Sequence, residues 1–226
     1  MKPVKILLTS DWQAAVSNLD RCQLALDQLL RIVDREGVDY VVHLGDLKDA
    51  FNPVDQRVSN WLVHAAQEIK KRCQLLVLMG NHDLIAPQDG VPSVLPLLAA
   101  AGADVFPEPR LRSLRDRTNL WMVPYIRDPA KQAKAFQEAA ADADRHSGTK
   151  ILCFHCGIEG CRQNVWTKGK GIALKDLRPN RYDLCVGGHI HLPQFSKPNL
   201  YYVGSPFCVD WSEVNSDHRF LLVEVP

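Results

Sequence analysis

The chain has 226 residues, of which 46% are hydrophobic and 23% are charged, so it can bury a substantial core. Its formal net charge of +1 excludes a strong overall attraction to nucleic acid or acidic membranes, although a local basic face is compatible with it. Its apolar stretches are no longer than strands, and its start lacks a secretory signal pattern. We therefore expect one globular domain over residues 1–226, in the cytoplasm and without a membrane partner.

Two strand-helix-strand repeats open the predicted fold. Strands are predicted at residues 4–8, 40–44 and 75–79, where short apolar runs occur. Between these runs, apolar side chains recur at the spacing of an amphipathic helix. We expect Ser17 and Asp20 to form a capping box at the start of the first helix, and Gly37 to end it. This repeat is typical of a parallel sheet.

The second half of the chain mixes shorter elements. We predict helices at residues 91–101 and 130–145, strands at residues 103–106, 120–123, 151–154 and 184–186, and closing strands within residues 200–225. The proline-bounded segment 107–118 is typical of a surface turn or hairpin. Residues 157–171 lack clear periodicity and are predicted to form a loop.

Polar motifs directly follow five of the predicted strands. They are Asp11-Trp12-Gln13, Gly45-Asp46, Gly80-Asn81-His82-Asp83, His155 and Gly188-His189-Ile190-His191. Because the carboxyl ends of strands are where ligands gather in α/β proteins, we expect these side chains to converge on one site. A single motif is weak, since an aspartate or histidine at a strand end is more often a cap. Specificity comes from their joint occurrence, in order, at successive strand ends.

The motif residues offer ligands for two divalent cations. Such a pair needs a shared carboxylate, further nitrogen and oxygen ligands, and an open edge for water and phosphate. Asp46 is the candidate for the shared carboxylate. The other candidate ligands divide into Asp11 and His191 for one ion and Asn81, His155 and His189 for the other. Alternation along an extended segment lets both imidazoles of the last motif point the same way.

His82 and Asp83 are predicted to assist the reaction without binding metal. His82 follows Asn81 directly and points elsewhere than its neighbour, so it can touch the scissile phosphate. It would donate a proton to the leaving oxygen or stabilise developing charge. Asp83 is predicted to orient His82 or a ligand imidazole.

The remaining histidines and the cysteines are assigned structural roles. His43, His64, His146 and His218 match no ligand position and are predicted to be structural or solvated. Cys153, Cys156 and Cys161 flank His155, which raises a zinc or redox alternative. We expect all seven cysteines to be reduced, with Cys153 a small buried filler.

The motifs between Asp11 and His191 together resemble the calcineurin-like metallophosphoesterase superfamily. Within it, the chain is most similar to the nuclease core of SbcD-type DNA repair exonucleases, including phage recombination nucleases. The supporting segments are Leu8-Thr9-Ser10-Asp11-Trp12, Gly45-Asp46-Leu47 followed by Asn52-Pro53, Val123-Pro124-Tyr125-Ile126-Arg127 and Gly204-Ser205-Pro206. The resemblance implies an α/β fold, a four-layer α-β-β-α sandwich with two mixed sheets. It also implies cleavage of DNA phosphodiesters with manganese, or magnesium as an alternative, and an SbcC-type coiled-coil ATPase partner.

The chain departs from the family pattern at Gln13, where the family has a histidine that binds metal. An amide oxygen can coordinate hard cations, but it is a weaker ligand than imidazole for transition metals. We therefore expect the first metal to bind loosely, or to be manganese or magnesium. Asp49 stands where some SbcD-type nucleases have a histidine, which leaves the DNA-positioning role at that position open. We also expect the capping and ATPase-binding segments of longer SbcD proteins to be absent, so a stand-alone nuclease, a homodimer and a separately encoded partner all stay open.

Two basic segments are candidates for DNA contacts. The first holds Arg110, Arg112, Arg115 and Arg117, and the second holds Arg162, Trp166, Lys168 and Lys170. The cations would meet phosphates and Trp166 could stack on a base, while the alternative for both segments is a solvated surface. We favour binding for the second segment, because it begins beside His155. A phosphoesterase for a small nucleotide or a phosphoprotein would use the same metals, and a catalytically weak scaffold subunit is a third alternative.

Overall fold

The computed structural model describes residues 2–88, 90–163, 171–196, 198–214 and 216–226. Its first sheet consists of β1 (Val4–Thr9), β2 (Tyr40–His43), β3 (Gln74–Leu78), β4 (Asp104–Phe106) and β11 (Leu221–Val225). The spatial order is β11-β1-β2-β3-β4. The first four strands are parallel and β11 pairs antiparallel with β1, so the sheet is mixed.

The second sheet has six strands in the described part of the chain. They are β5 (Arg110–Ser113), β6 (Thr118–Val123), β7 (Thr149–His155), β8 (Leu184–Gly188), β9 (Gln194–Ser196) and β10 (Leu200–Tyr202). The spatial order is β5-β6-β7-β8-β10-β9. The four central strands are parallel and both edge strands are antiparallel, so this sheet is mixed as well.

Helices cover the outer face of each sheet. They are α1 (Leu19–Glu36), α2 (Gln56–Lys70), α3 (Leu95–Ala100), α4 (Pro129–Ala143) and α5 (Leu174–Leu177). Leu26 of α1 and Leu62 of α2 share an apolar cluster with Leu7 of β1. On the other side, the ring of Phe136 in α4 lies 5.8 Å from that of Phe154 in β7. No helix of the described residues combines the length and apolar character needed to cross a bilayer.

A third apolar cluster joins the two sheets face to face. Leu8 of β1 and Val42 of β2 pack with Ile151 of β7 and Val186 of β8, and all four side chains are buried. The layers therefore follow the order helix, sheet, sheet, helix. This arrangement confirms the predicted α-β-β-α sandwich with two mixed sheets.

Two helix starts differ from the prediction. A short 3-10 turn precedes α1, and its last residue, Asn18, is the N-cap of the helix in place of Ser17. The Asn18 side chain bonds the backbone of residues 13 and 15. The predicted capping box of Ser17 and Asp20 is therefore wrong. The helix expected from residue 91 begins at Leu95, because residues 84 and 92 pair as an isolated bridge. Gly37 does end α1, with a φ of 64°.

The arginine-rich segment forms the predicted hairpin, from β5 into β6. Three of its four guanidinium groups bind acidic side chains of the same chain: Arg110 lies 2.6 Å and Arg112 3.0 Å from Asp104, and Arg115 lies 2.7 Å from Asp39. The fourth, that of Arg117, bonds the Ser147 hydroxyl. Asp39 precedes β2, at the edge of the sheet opposite the carboxyl ends. These contacts favour the structural alternative over a DNA contact for this segment.

Candidate metal centre

The polar motifs lie at the carboxyl ends of the strands, and the two sheets contribute different chemistry. Asp11, Asp46 and Asn81 follow β1, β2 and β3 of the first sheet, whereas His155, His189 and His191 lie at the ends of β7 and β8 of the second. Ligand atoms of Asp46, His155 and His189 all lie within 4.8 Å of one another. Carboxylates and an amide from one sheet thus face imidazoles from the other.

Glycines allow the two groups to approach this closely. A Cβ atom on Gly45 would lie 2.4 Å from Nδ1 of His155, and Gly45 has a φ of 100°. A Cβ atom on Gly80 would lie 2.2 Å from Oδ1 of Asp46. Any larger residue at either position would separate the carboxylate from the imidazole.

The two carboxylate oxygens of Asp46 face different ligand groups. Oδ1 lies 3.3 Å from Nε2 of His155 and accepts a hydrogen bond of 2.8 Å from the backbone N–H of His82. Oδ2 accepts a hydrogen bond of 3.1 Å from the Gln13 amide. Burial alone would raise the pKa of Asp46, but the neighbouring His155 outweighs it and holds that pKa well below its usual range. The anionic side chain therefore lies where a shared metal ligand must lie.

One group of ligands surrounds the amide oxygen of Asn81. That oxygen lies 3.1 Å from Nε2 of His155 and 2.8 Å from Nδ1 of His189. Nδ1 of His155 lies 2.6 Å from the Leu44 carbonyl and donates to it, so Nε2 is directed at Asn81 and Asp46. Burial opposes a charge on His155, but Asp46 outweighs burial and raises the pKa of His155 to about 9. The proton on Nε2 of His155 thus points to the place where a cation would bind.

His189 shows the opposite electrostatic behaviour. Its ring packs edge-on against that of His155, with the centroids 5.3 Å apart. Burial, with the charge of His155 added, lowers the pKa of His189 to about 4. The imidazole is therefore neutral at pH 7, which is the form that binds metal.

The other group of ligands consists of Asp11, Gln13 and His191. Asp11 is buried and accepts hydrogen bonds of 3.1 Å from the His189 backbone N–H at both carboxylate oxygens. Burial raises the pKa of Asp11, and the facing His191 and His155 oppose that rise. Nε2 of His191 lies 4.0 Å from Asp11. Buried carboxylates facing imidazole nitrogens in this way are the donor set that divalent cations bind.

Glu213 holds His191 in place, and sequence reasoning missed it. Its Oε1 lies 2.5 Å from Nδ1 of His191, while Oε2 accepts hydrogen bonds from the Ser205 hydroxyl (2.9 Å) and the Val209 N–H (2.8 Å). A carboxylate behind a ligand imidazole fixes both its orientation and the nitrogen that faces the metal. Glu213 follows His191 by 22 positions in a segment without a motif, so no sequence pattern identifies it.

The hydrogen bonds of the Asp83 carboxylate in the described residues do not go to His82 or to an imidazole, the partners predicted for it. That carboxylate instead accepts three backbone hydrogen bonds, from Gly80 (2.8 Å), Asp46 (2.9 Å) and Leu47 (2.9 Å). Burial and the charge of Asp46 raise the pKa of Asp83 to about 6, against the effect of these hydrogen bonds. Asp83 therefore fixes the turn that presents Asp46.

His82 is held by the loop that follows the Gly45-Asp46 motif. Its Nδ1 lies 2.6 Å from the carbonyl oxygen of Asp49 and donates to it, and its ring stacks on Phe51 with centroids 5.6 Å apart. This geometry leaves Nε2 for a ligand. The His82 side chain is 30% exposed, so a substrate can reach it.

Lys48 is a second residue that sequence reasoning missed. Its side chain is fully buried, and Nζ donates to the carbonyl oxygens of Ala50 (2.8 Å), Leu84 (3.2 Å) and His82. Burial lowers the pKa of Lys48, whereas the nearby acidic residues oppose that shift. The ammonium group thus links the loop that holds the His82 ring to the backbone of His82 itself.

We expect Lys48→Met to destabilise the protein and slow turnover without weakening metal binding. The substitution keeps the volume but leaves three buried carbonyl groups without their donor, which costs about 1–3 kcal/mol of unfolding free energy. Urea unfolding and a manganese titration measure the two effects. Lys71→Met is the control, since that side chain is 65% exposed, and a change below about 0.5 kcal/mol is expected there. Equal stability of the two variants would contradict the role of Lys48.

Of the second basic segment, Arg162 lies within the described residues. Arg162 is exposed, and its backbone exchanges two hydrogen bonds with the Gln194 amide, of 2.8 and 2.7 Å. Trp166, Lys168 and Lys170 lie outside the described residues, and their roles stay predictions.

Three of the four histidines that match no ligand position have the surroundings expected of structural or solvated residues, whereas His218 lies in a cluster with Cys208 and Glu213. His43 is buried and accepts a hydrogen bond of 3.2 Å from the Gly45 N–H. His64 is exposed, and His146 bonds the Asp142 carbonyl. All seven cysteines are free, and Cys153 is fully buried.

The four-layer sandwich and the carboxylates and imidazoles at its strand ends are the arrangement expected of a phosphoesterase. The family model of the calcineurin-like phosphoesterases matches residues 4–193, and the chain belongs to this family. Members of the family bind divalent metal ions. This membership confirms the resemblance that the motifs indicated.

Individual relatives are distant in sequence. The chain is 26% identical over 204 residues to the protein named "Putative phosphoesterase 078R" of Invertebrate iridescent virus 3, covering 89% of this chain and 57% of that protein. It is 25% identical over 262 residues to the SbcD component of the SbcCD nuclease of Bacillus subtilis (strain 168), covering 98% of this chain and 66% of that component. The chain thus spans under two thirds of the length of either relative.

A solved structure supports the fold alone. GAP50, the anchor in the inner membrane complex of Plasmodium, superposes with a TM-score of 0.62 at 14% identity. The match covers 99% of this chain and 81% of that one.

Proposed function

We propose that this chain is a metal-dependent nuclease of the SbcD type, which cleaves DNA phosphodiester bonds in DNA repair or recombination. The observation that carries the proposal is the position of Asp46, with one oxygen facing each ligand group and His82 bonded beside it. The similarity to the SbcD component of the SbcCD nuclease supports DNA as the substrate.

Two divalent cations fit the donor set, and we propose manganese, with magnesium as the alternative. Asp11, Gln13 and His191 would hold one ion, Asn81, His155 and His189 the other, and Asp46 both. Bound at such a site, divalent cations lower the pKa of water towards neutrality and neutralise charge that develops on the phosphate.

The residues around these ligands position the substrate and the leaving group. His82, through Nε2, would donate a proton to the leaving oxygen, and the Asp49 carbonyl keeps Nδ1 turned away from the substrate. Asp83 fixes the turn of Asp46, and Glu213 fixes His191. These two carboxylates act on neighbouring residues rather than on the phosphate.

The first experiment is digestion of end-labelled single-stranded and double-stranded DNA with manganese, with Asp46→Ala as the control. Manganese-dependent degradation that the variant lacks is the expected result, and the labelled products give its polarity. Intact DNA with hydrolysis of bis-p-nitrophenyl phosphate would favour a small phosphodiester substrate instead. If the protein does not bind two metal ions, the alternative of a catalytically weak scaffold subunit is favoured.

We propose that a coiled-coil ATPase of the SbcC type is a partner of this chain, with a homodimer as the alternative assembly. The relative in Bacillus subtilis is named as one subunit of a nuclease, which supports a partner protein. Faster DNA cleavage after addition of such an ATPase subunit is the expected result, and light scattering of the chain alone tests the homodimer.

Gln13→His is expected to tighten the first metal site and to raise activity at low manganese. The Gln13 side chain is buried beside Asp46, and an imidazole would replace a weaker amide ligand there. Calorimetric titration of manganese into both proteins measures the change. Unchanged affinity would mean that Gln13 already coordinates well or does not face the ion.

A further inference from the structure

An exposed tryptophan lies on the loop that carries Glu213, and the proposed mechanism does not use the tryptophan itself. The side chain of Trp211 is 88% exposed, although tryptophan is usually buried for most of its surface. Trp211 begins a one-turn 3-10 helix that ends at Glu213, the residue that holds His191. An exposed aromatic ring thus stands two residues from a group that positions a ligand imidazole.

The loop around Trp211 is tied to the site by hydrogen bonds. The backbone N–H of Glu213 donates to the Asp210 carbonyl at 3.1 Å, and the Val209 N–H donates to the Glu213 carboxylate at 2.8 Å. Because Glu213 also holds His191, the loop that carries Trp211 is joined directly to one group of candidate metal ligands.

A groove of about 540 Å³ runs along this loop. Its lining includes Arg21, Phe207, Val209, Asp210, Trp211 and Val214. The Arg21 guanidinium is positioned by a hydrogen bond of 3.3 Å to the Cys208 carbonyl. The groove therefore combines an apolar floor with one cationic and one acidic side chain. This combination suits a flat, uncharged ring with polar edges.

The composition of the groove argues against a protein partner. A stable protein interface buries about 800 Å² on each partner, whereas the large exposed apolar side chains that line this groove are Trp211 and Val214. A nucleobase, whose flat aromatic face can stack on an exposed indole ring, is the occupant that this lining favours.

We propose that Trp211 stacks on a nucleobase of the substrate strand next to the cleaved phosphodiester, so that the groove is a base-binding subsite. This inference rests on the proposed nuclease function. Stacking needs a base that is free of its complement, so the subsite selects single-stranded or frayed DNA. Because every base has an aromatic face, no sequence preference is expected.

The test compares KM and kcat of Trp211→Ala and Trp211→Phe on an end-labelled single-stranded oligonucleotide with manganese. Loss of the ring is expected to raise KM about tenfold with little change in kcat, and phenylalanine is expected to restore most of the affinity. Phe195→Ala is the matched control, because Phe195 is also exposed, at 52%, but lies on the edge strand β9. Thermal unfolding of each variant verifies that it folds.

An abasic scan of the oligonucleotide identifies the stacked base. In the wild-type protein, one abasic position near the cleaved bond should raise KM as much as Trp211→Ala does. In the variant, the same abasic position should add no further loss. Fully additive losses, or an unchanged KM in Trp211→Ala, would overturn the subsite.

Three outcomes separate the proposals. Intact DNA with the wild-type protein contradicts both the nuclease and the subsite, whereas cleavage with an unchanged KM in Trp211→Ala contradicts the subsite alone. If Trp211→Ala instead abolishes sedimentation with phosphatidylserine vesicles and leaves the DNA KM unchanged, the loop binds membranes and the subsite is wrong.

Discussion

Replacing Asp46 by alanine is expected to remove metal binding and to lower hydrolysis at least about a thousandfold. The two carboxylate oxygens face the His155 and Gln13 groups separately, so their loss leaves each ion without the ligand that the two share. Metal ions contribute several kcal/mol of transition-state stabilisation, which corresponds to a rate factor of this size. Manganese calorimetry and turnover of bis-p-nitrophenyl phosphate measure the two losses.

Two companion variants make the Asp46 result specific. Asp46→Asn keeps the shape of the side chain and removes its charge, so weakened metal binding in a folded protein is expected. Glu138→Ala removes a carboxylate from α4 whose side chain is 68% exposed, and wild-type metal binding is expected. Two manganese ions bound to Asp46→Ala with wild-type affinity would contradict the shared-ligand role.

Replacing His82 by alanine is expected to spare metal binding and to lower DNA cleavage about 10²- to 10⁴-fold, the range for loss of a general acid. The ring contacts Asp49 and Phe51, while the ligand imidazoles belong to other strands, so the metal ligands keep their positions. The loss should be smaller on bis-p-nitrophenyl phosphate, because nitrophenolate leaves readily without a proton. Kinetics on both substrates give the comparison.

The control for His82 is His64→Ala, which removes an exposed imidazole from α2 and should leave both substrates unaffected. Equal losses on DNA and on the nitrophenyl ester would assign His82 to charge stabilisation instead of proton donation. Full activity of His82→Ala would show that neither role is correct.

The general position of the site was predictable because it depends on strand ends. Apolar runs locate the strands, parallel order places their carboxyl ends at one edge, and the motif residues follow directly. Asp11, Asp46 and Asn81 are brought together by this rule alone, and so are His155 and His189 on the second sheet. The family model then agrees with the resemblance over residues 4–193.

The supporting contacts were not predictable, because they join side chains to distant backbone groups. Asp83 bonds N–H groups in another turn, and Lys48 binds carbonyl oxygens 34 and 36 positions away. Glu213 reaches His191 only after the chain has formed two more strands. In sequence, an isolated lysine or glutamate is more often a surface residue, so its burial depends on the tertiary fold.

The division of ligands between the sheets has a mechanical consequence. Oxygen ligands belong to the first sheet and most nitrogen ligands to the second, and between the sheets lie apolar side chains such as Leu8 and Ile151. An ion held by both sets would therefore add a cross-link between two layers that pack through apolar side chains and are already joined by hydrogen bonds such as that of His155 to the Leu44 carbonyl. Free metal at about a hundred times its Kd would add about 3 kcal/mol to the free energy of unfolding. A chelator should therefore lower the melting temperature of the protein.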